Sequence, residues 1–200
     1  MEILKNNIIQ LSSTSIILGF FDGIHLGHRE VINTAVNFAK KNKTKTLLIT
    51  FKSSPAEYFN NKTKEEAHRE FFLNTLECVK TFDCFNCLGH LDYIVRYGPY
   101  EDKNVNHELY QDIIDEIFKT LIQKGKGIEV NTSGYRDLKT CGFPSFKQVE
   151  RYYQLGGRII TVGTDSHTSD RIGEHVEEVV REYQRIGFQD ISTFTKRIRD

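Results

Sequence analysis

The chain has 200 residues, 38% of them apolar and 27% charged, with three prolines, which is the balance of a folded globular protein and not of a disordered one. Lys plus Arg and Asp plus Glu number 27 each, so no long-range positive field gathers nucleic acid or an anionic membrane, and any bound anion must be held by a local site. The longest apolar run, Ser15 to Phe21, is far short of the roughly 18 residues of a spanning helix, and MEILKNN at the start has no signal-peptide core, so a soluble cytoplasmic protein is expected.

Taken in chain order, Thr14 to Leu18 is a β-branched, apolar run ending in Gly19, the pattern of a buried parallel strand. A helix follows, with Val31, Ile32, Ala35, Phe38 and Ala39 at one-sided spacing and Lys40 and Lys41 at its C-terminal end, then a strand from Thr46 to Phe51. Residues 52 to 66 are polar and turn-rich and read as a seam or linker. Glu65 to Lys80 predicts a helix with Phe72, Leu76 and Val79 on one face, and Phe82 to Leu88 a further strand.

The strongest helical stripe is Leu109, Ile113, Ile114, Ile117, Phe118, Leu121 and Ile122, stopped by Gly125 and Gly127 before a strand at Ile128 to Asn131. Phe146 to Leu155 is a helix, Arg158 to Val162 a strand, Ile172 to Ile186 a helix closed by Gly187, and a last short strand is expected near Ile191. This alternation predicts an α/β fold of βα units with about five or six parallel strands, as an open sheet or a partial barrel, with ligands at the C-terminal strand ends.

Four cysteines are too few for a disulfide scaffold. Cys84 and Cys87 form a C-x-x-C pair without a second pair to complete a zinc site, so they read as ordinary buried thiols, Phe85 between them suggesting strand packing.

In GFFDGIHLGH, residues 19 to 28, a glycine ends a buried strand, a second bends the loop, and His25-x-x-His28 enters a helix whose free backbone N–H groups attract phosphate. These residues resemble the H-x-G-H signature of the nucleotidyltransferase superfamily, and the adenylyltransferase domain of FAD synthase within it, over about residues 14 to 60. The resemblance implies ATP as a ligand, nucleotide binding by Gly19, Phe20, Asp22, Gly23, His25, Gly27 and His28, and two histidines that stabilise adenylyl transfer to FMN. The family's later phosphate-binding segment ending in arginine is not found downstream.

Further along, His90 follows one strand, Glu129 and Asn131 share a face of another, and Asp165 and His167 follow a third. If these strands are neighbours, imidazole and carboxylate meet at one rim and suit zinc, manganese or iron, while Arg96 and Arg136 just beyond two strand ends suit a phosphate monoester. GHLDYIVRYG, GIEVNTSGYR and GTDSH, with the segments between them, resemble the C-terminal half of the PHP (polymerase and histidinol phosphatase) superfamily, closely its histidinol phosphatase branch, over roughly residues 66 to 200.

That resemblance implies metal ligation by His90, Asp165 and His167, with Asp165 and His167 catalytic. It implies phosphate contacts from Arg96 and Arg136, and supporting contacts from Glu129 and Asn131. The early histidine-x-histidine of that family does not occur here, which leaves His25 and His28 as substitutes. His68, His107 and His175 have no partner at ligand spacing and read as solvated or capping residues.

Three functions follow: a metal-dependent phosphomonoesterase of the histidinol phosphatase kind, an FMN adenylyltransferase, and a non-catalytic hybrid that binds phosphate or nucleotide. The expected partner is a small phosphorylated metabolite, with no nucleic acid and no membrane, and a homodimer that completes the barrel.

Overall fold

The computed structural model describes residues 14–18, 26–49, 59, 61–137, 141–195 and 198–199. The chain divides into two units, Met1–Tyr58 and Phe59–Asp200, the division falling within the polar stretch of residues 52 to 66.

In the smaller unit, strand β1 (Thr14–Leu18), helix α1 (Leu26–Asn42) and strand β2 (Lys45–Ile49) form a βαβ unit. The strands are parallel, with Thr14 opposite Lys45 and Leu18 opposite Ile49. The predicted stripe of α1 is shifted by one residue. Val31 and Phe38 are exposed, whereas Ala39 is buried and Ile32, Ala35 and Val36 are half-buried. Lys40 and Lys41 sit in the last turn, where their charge complements the helix dipole.

The larger unit opens with helix α2 (Lys64–Thr81), started by a capping box in which Thr63 Oγ accepts from the Glu66 N–H and the Glu66 carboxylate accepts from the Thr63 N–H. Strand β3 (Cys87–Leu88) follows, then a 3₁₀ turn at Tyr93–Arg96 and another at His107–Tyr110 that runs into helix α3 (Gln111–Gln123). Strand β4 (Gly127–Asn131), short helix α4 (Gly134–Asp137), helix α5 (Phe146–Gln154), strand β5 (Ile160–Gly163) and helix α6 (Val176–Ile186) complete the body. A two-residue antiparallel pair, β6 (Phe194–Thr195) and β7 (Ile198–Arg199), ends the chain.

The sheet order is β3-β4-β5, all parallel, with Cys87 opposite Gly127 and Ile128 opposite Ile160. Its core is apolar and continuous. Ile113, Ile114, Ile117, Phe118 and Leu121 of α3, the stripe read from sequence, pack with Phe72 and Val79 of α2, Val149 and Tyr152 of α5, Val179 and Tyr183 of α6, and Ile128, Val130 and Ile160 of the sheet. Burying a side chain of this size is worth about 1.5–3 kcal/mol each, so these faces hold the strand ends in place.

The structure corrects several expectations. Among the described residues the parallel strands form a pair and a triplet, and β6 and β7 are antiparallel. The strand expected over Phe82–Leu88 is reduced to Cys87–Leu88, and side chains occupy carbonyls at its start: Lys124 Nζ donates to the Phe82 oxygen and Lys126 Nζ to that of Asp83. Cys84 is accordingly exposed. Helix α6 starts at Val176 and not at Ile172, since Gly173 and His175 have φ of +82° and +59°, outside helical geometry. The last short strand, expected near Ile191, is found at Phe194–Thr195 as β6, paired antiparallel with β7, while the Ser192 N–H donates to Ile160 O at 2.8 Å.

Candidate functional site at the strand ends

The C-terminal ends of β3, β4 and β5 deliver the predicted rim residues of the larger unit to one edge. Just past β3 come Gly89 and His90, then the turn carrying Tyr93 and Arg96; β4 carries Glu129 and Asn131; just past β5 come Thr164, Asp165 and His167. His90 and Asp165 leave their strands with φ of +33° and +45°, the left-handed region that non-glycine residues enter at a cost.

Arg96 is the hinge of this rim. Its Nη1 donates to Asp165 Oδ2 at 2.9 Å and to the Tyr93 hydroxyl at 2.8 Å, and its guanidinium lies 5.3 Å from the Tyr93 ring centre. The Arg96 and Asp165 side chains are each about a third exposed, 32% and 31%, so water screens the pair and it adds little to stability. Burial first, then the neighbouring Tyr97 hydroxyl, pushes the Tyr93 phenol well above its ordinary range, so it stays protonated. The His90 ring packs on Tyr93 with centres 4.2 Å apart.

Arg136 clasps the loop after β5. Nη1 donates to Glu174 Oε2 at 3.0 Å, and Nη2 donates to the carbonyls of Thr164 and Asp165 at 3.1 and 3.2 Å. The adjacent Tyr135 stacks on His175, with ring centres 4.4 Å apart and planes 14° from parallel. His167 Nδ1 lies 2.9 Å from the Asp165 carbonyl. A carbonyl only accepts, so Nδ1 carries the proton and Nε2 holds the lone pair of the neutral ring.

Glu129 fills a slot that only glycine leaves open. A Cβ on Gly163 would overlap Glu129 Oε1, and one on Gly89 would come within 3.1 Å of Oε2. Asn131 Oδ1 accepts from the Ser133 N–H at 3.0 Å and so shapes the chain leaving β4.

Among the described residues, no three of His, Cys, Asp or Glu stand close enough together to hold a metal ion. Asp165 is turned to Arg96, His167 to its own neighbour's carbonyl and His90 to Tyr93, an arrangement that does not fit a divalent cation. Of the N-terminal motif, Gly19, Phe20, Asp22, Gly23 and His25 lie outside the described residues, and Gly27 and His28 belong to the first turn of α1.

Sequence reading passes over Asp92 and misplaces two histidines. Asp92 is 3% exposed, and its Oδ2 accepts from His107 Nε2 at 2.9 Å and from the Ser145 N–H at 3.2 Å. His107 is therefore an internal partner and not a solvated residue. His68 is 2% exposed, and burial first, then the Lys64 charge, lowers its pKa to about 4. The signal for Asp92 was available in the sequence, an acid two residues after His90 inside GHLDY. His175 stands at the N-cap position of α6, but its side chain makes no capping hydrogen bond to the helix backbone; its Nδ1 lies 3.3 Å from Glu178 Oε1.

With this geometry in place, comparison with known proteins decides the family. The chain is 39% identical over 139 residues to the histidinol-phosphatase of Lactococcus lactis, which covers 70% of this chain and 51% of that protein. The crystal structure of the Lactococcus lactis histidinol phosphate phosphatase, complexed with zinc, L-histidinol and phosphate, superposes with a TM-score of 0.67 at 30% identity, covering 86% of this chain and 77% of that one. Over most of its length the chain belongs to the histidinol phosphatase family.

The chain spans about half the length of the histidinol phosphatases that it matches in sequence. Residues 8–77 match the FAD synthetase family. A bifunctional riboflavin kinase/FMN adenylyltransferase of Buchnera aphidicola is 29% identical over 100 residues, 44% of this chain and 32% of that protein. The chain thus joins a histidinol phosphatase likeness to a partial FAD synthetase likeness, and no helix among the described residues is long and apolar enough to cross a membrane.

Proposed function

We propose that this chain is a phosphomonoesterase related to histidinol phosphatase, acting on a small phosphorylated metabolite at the rim of β3, β4 and β5. The observation that carries the reading is the meeting of Arg96 with Asp165 at the strand ends, 2.9 Å apart. In this reading a phosphate monoester takes the place of Asp165 on the Arg96 fork, since a dianion in bidentate contact with guanidinium is a stronger partner than one screened carboxylate. Arg136, holding the base of the Asp165 loop, keeps that carboxylate and the His167 ring within reach of the ester, where Nε2 can take or give a proton. His90, Asp165 and His167 as placed do not fit a metal.

The test is phosphate release from histidinol phosphate by purified protein, measured both without metal and with added manganese or zinc, beside an Asp165→Asn control. Release that vanishes in the control is expected. Release equal to that of the control would sink the reading and leave a binding protein without turnover.

The FAD synthetase match favours a second reading, nucleotide binding at the N-terminal motif. ATP binding that is lost in His28→Ala and unaffected by His90→Ala is its signature in isothermal calorimetry.

A further inference from the structure

We infer that Asp92 is a positioning residue for the rim, holding the turn that carries His90 and Arg96 by tying it to two segments remote in sequence. The inference rests on the phosphate reading of Arg96 and deepens it. Asp92 lies between His90 and Arg96, and its backbone is part of their turn: the Tyr93 N–H donates to His90 O at 2.9 Å and the Val95 N–H donates to Asp92 O at 3.2 Å. Its side chain faces inward. One oxygen, Oδ2, holds both His107 Nε2, from the 3₁₀ turn before α3, and the Ser145 N–H, from the start of α5.

A carboxylate 3% exposed is unstable unless paired, and its other oxygen, Oδ1, is buried with no hydrogen-bond partner among the described residues. His68 is the other buried imidazole nearby, and it remains neutral down to about pH 4. His107 and the Ser145 N–H are thus the groups that compensate Asp92, and the turn cannot shift without breaking both. A rim turn of this kind needs such an anchor, because β3 beneath it is two residues long and supplies little ladder of its own.

Neither Arg96 nor His90 makes this contact, so Asp92 acts through them and touches no ligand itself. Asp92→Asn keeps the shape of the side chain and removes the charge that His107 donates to.

Inorganic phosphate binding to the full chain, measured by isothermal calorimetry, tests this in four proteins: wild type, Asp92→Asn, Arg96→Lys and the double variant. Asp115→Asn, which breaks a carboxylate–arginine pair between α3 and α5, serves as a control for general loosening. The expected result is an affinity about tenfold lower in Asp92→Asn, less than about a twofold further effect of the same change in the Arg96→Lys background, and no effect of Asp115→Asn. An affinity within about twofold of wild type in Asp92→Asn, or an equal loss in both backgrounds, overturns it.

Amide exchange separates this from failure of the phosphate reading. If wild type binds no phosphate, the phosphate reading falls. Asp92→Asn must then still raise exchange at Tyr93 and Val95 by about tenfold while Leu121 in α3 stays protected. Unchanged exchange at Tyr93 and Val95 overturns the anchor itself.

Discussion

Glu129 owes its place to what Gly89 and Gly163 lack. A methyl group on Gly163 would occupy the position of Glu129 Oε1, so Gly163→Ala must displace that carboxylate, at a cost of about 1–3 kcal/mol from overpacking. Gly89→Ala meets Oε2 at 3.1 Å, a contact that a small rotation relieves, and should cost less. Urea midpoints for the two variants, compared with wild type, check the order; equal midpoints would mean that the slot is not formed in solution. Arg96→Met removes the charge-assisted donor of the rim and is expected to weaken phosphate binding by about 10- to 100-fold, the worth of a hydrogen bond to a charged group. Calorimetry with inorganic phosphate reads that loss directly. The rim residues named from sequence lie at or just past strand ends, and Asp92 is visible there as an acid inside GHLDY, but its partners His107 and Ser145 stand 15 and 53 residues away, a pairing that spacing does not encode.

At the scale of elements, periodicity identified the helices whose faces are buried and failed where side chains compete with the ladder. The α3 stripe lies in the core as spacing predicts, because an amphipathic helix has one stable way to lie on a sheet. Phe82 to Asn86 reads as strand by its apolar content, yet Lys124 and Lys126 reach across from the end of α3 and the start of β4 to take the carbonyls that a neighbouring strand would use. The bounds of α2 lie within one residue of the sequence reading at each end, and the structure adds a capping box of Thr63 and Glu66 at its start. Thr63→Ala should lower stability by about 1 kcal/mol and the midpoint of thermal unfolding by a few degrees, seen by circular dichroism. A midpoint unchanged from wild type would show that the first turn is held by something else.

For the whole molecule, His68 contributes to the acid limb of stability. Its native pKa of about 4 lies below the ordinary value of 6.5, so the unfolded chain binds more protons between those limits. Stability from this group is therefore complete above about pH 6.5 and is lost as pH falls towards 4, with a ceiling on the order of 3 kcal/mol. His68→Gln should flatten the drop in urea midpoint between pH 7 and pH 4.5, and an equal drop in both proteins would rule His68 out as its source. The homodimer expected from sequence would give a dimeric mass by light scattering, and a monomeric mass would remove that expectation. Two of the rim residues, His90 and Asp165, sit in left-handed backbone that glycine would occupy with about 1 kcal/mol less penalty. A laboratory selection that rewards only yield or heat resistance would therefore drift towards glycine at both positions and trade the rim away for robustness, so any stabilised descendant of this chain has to be bred on binding or turnover from the first round.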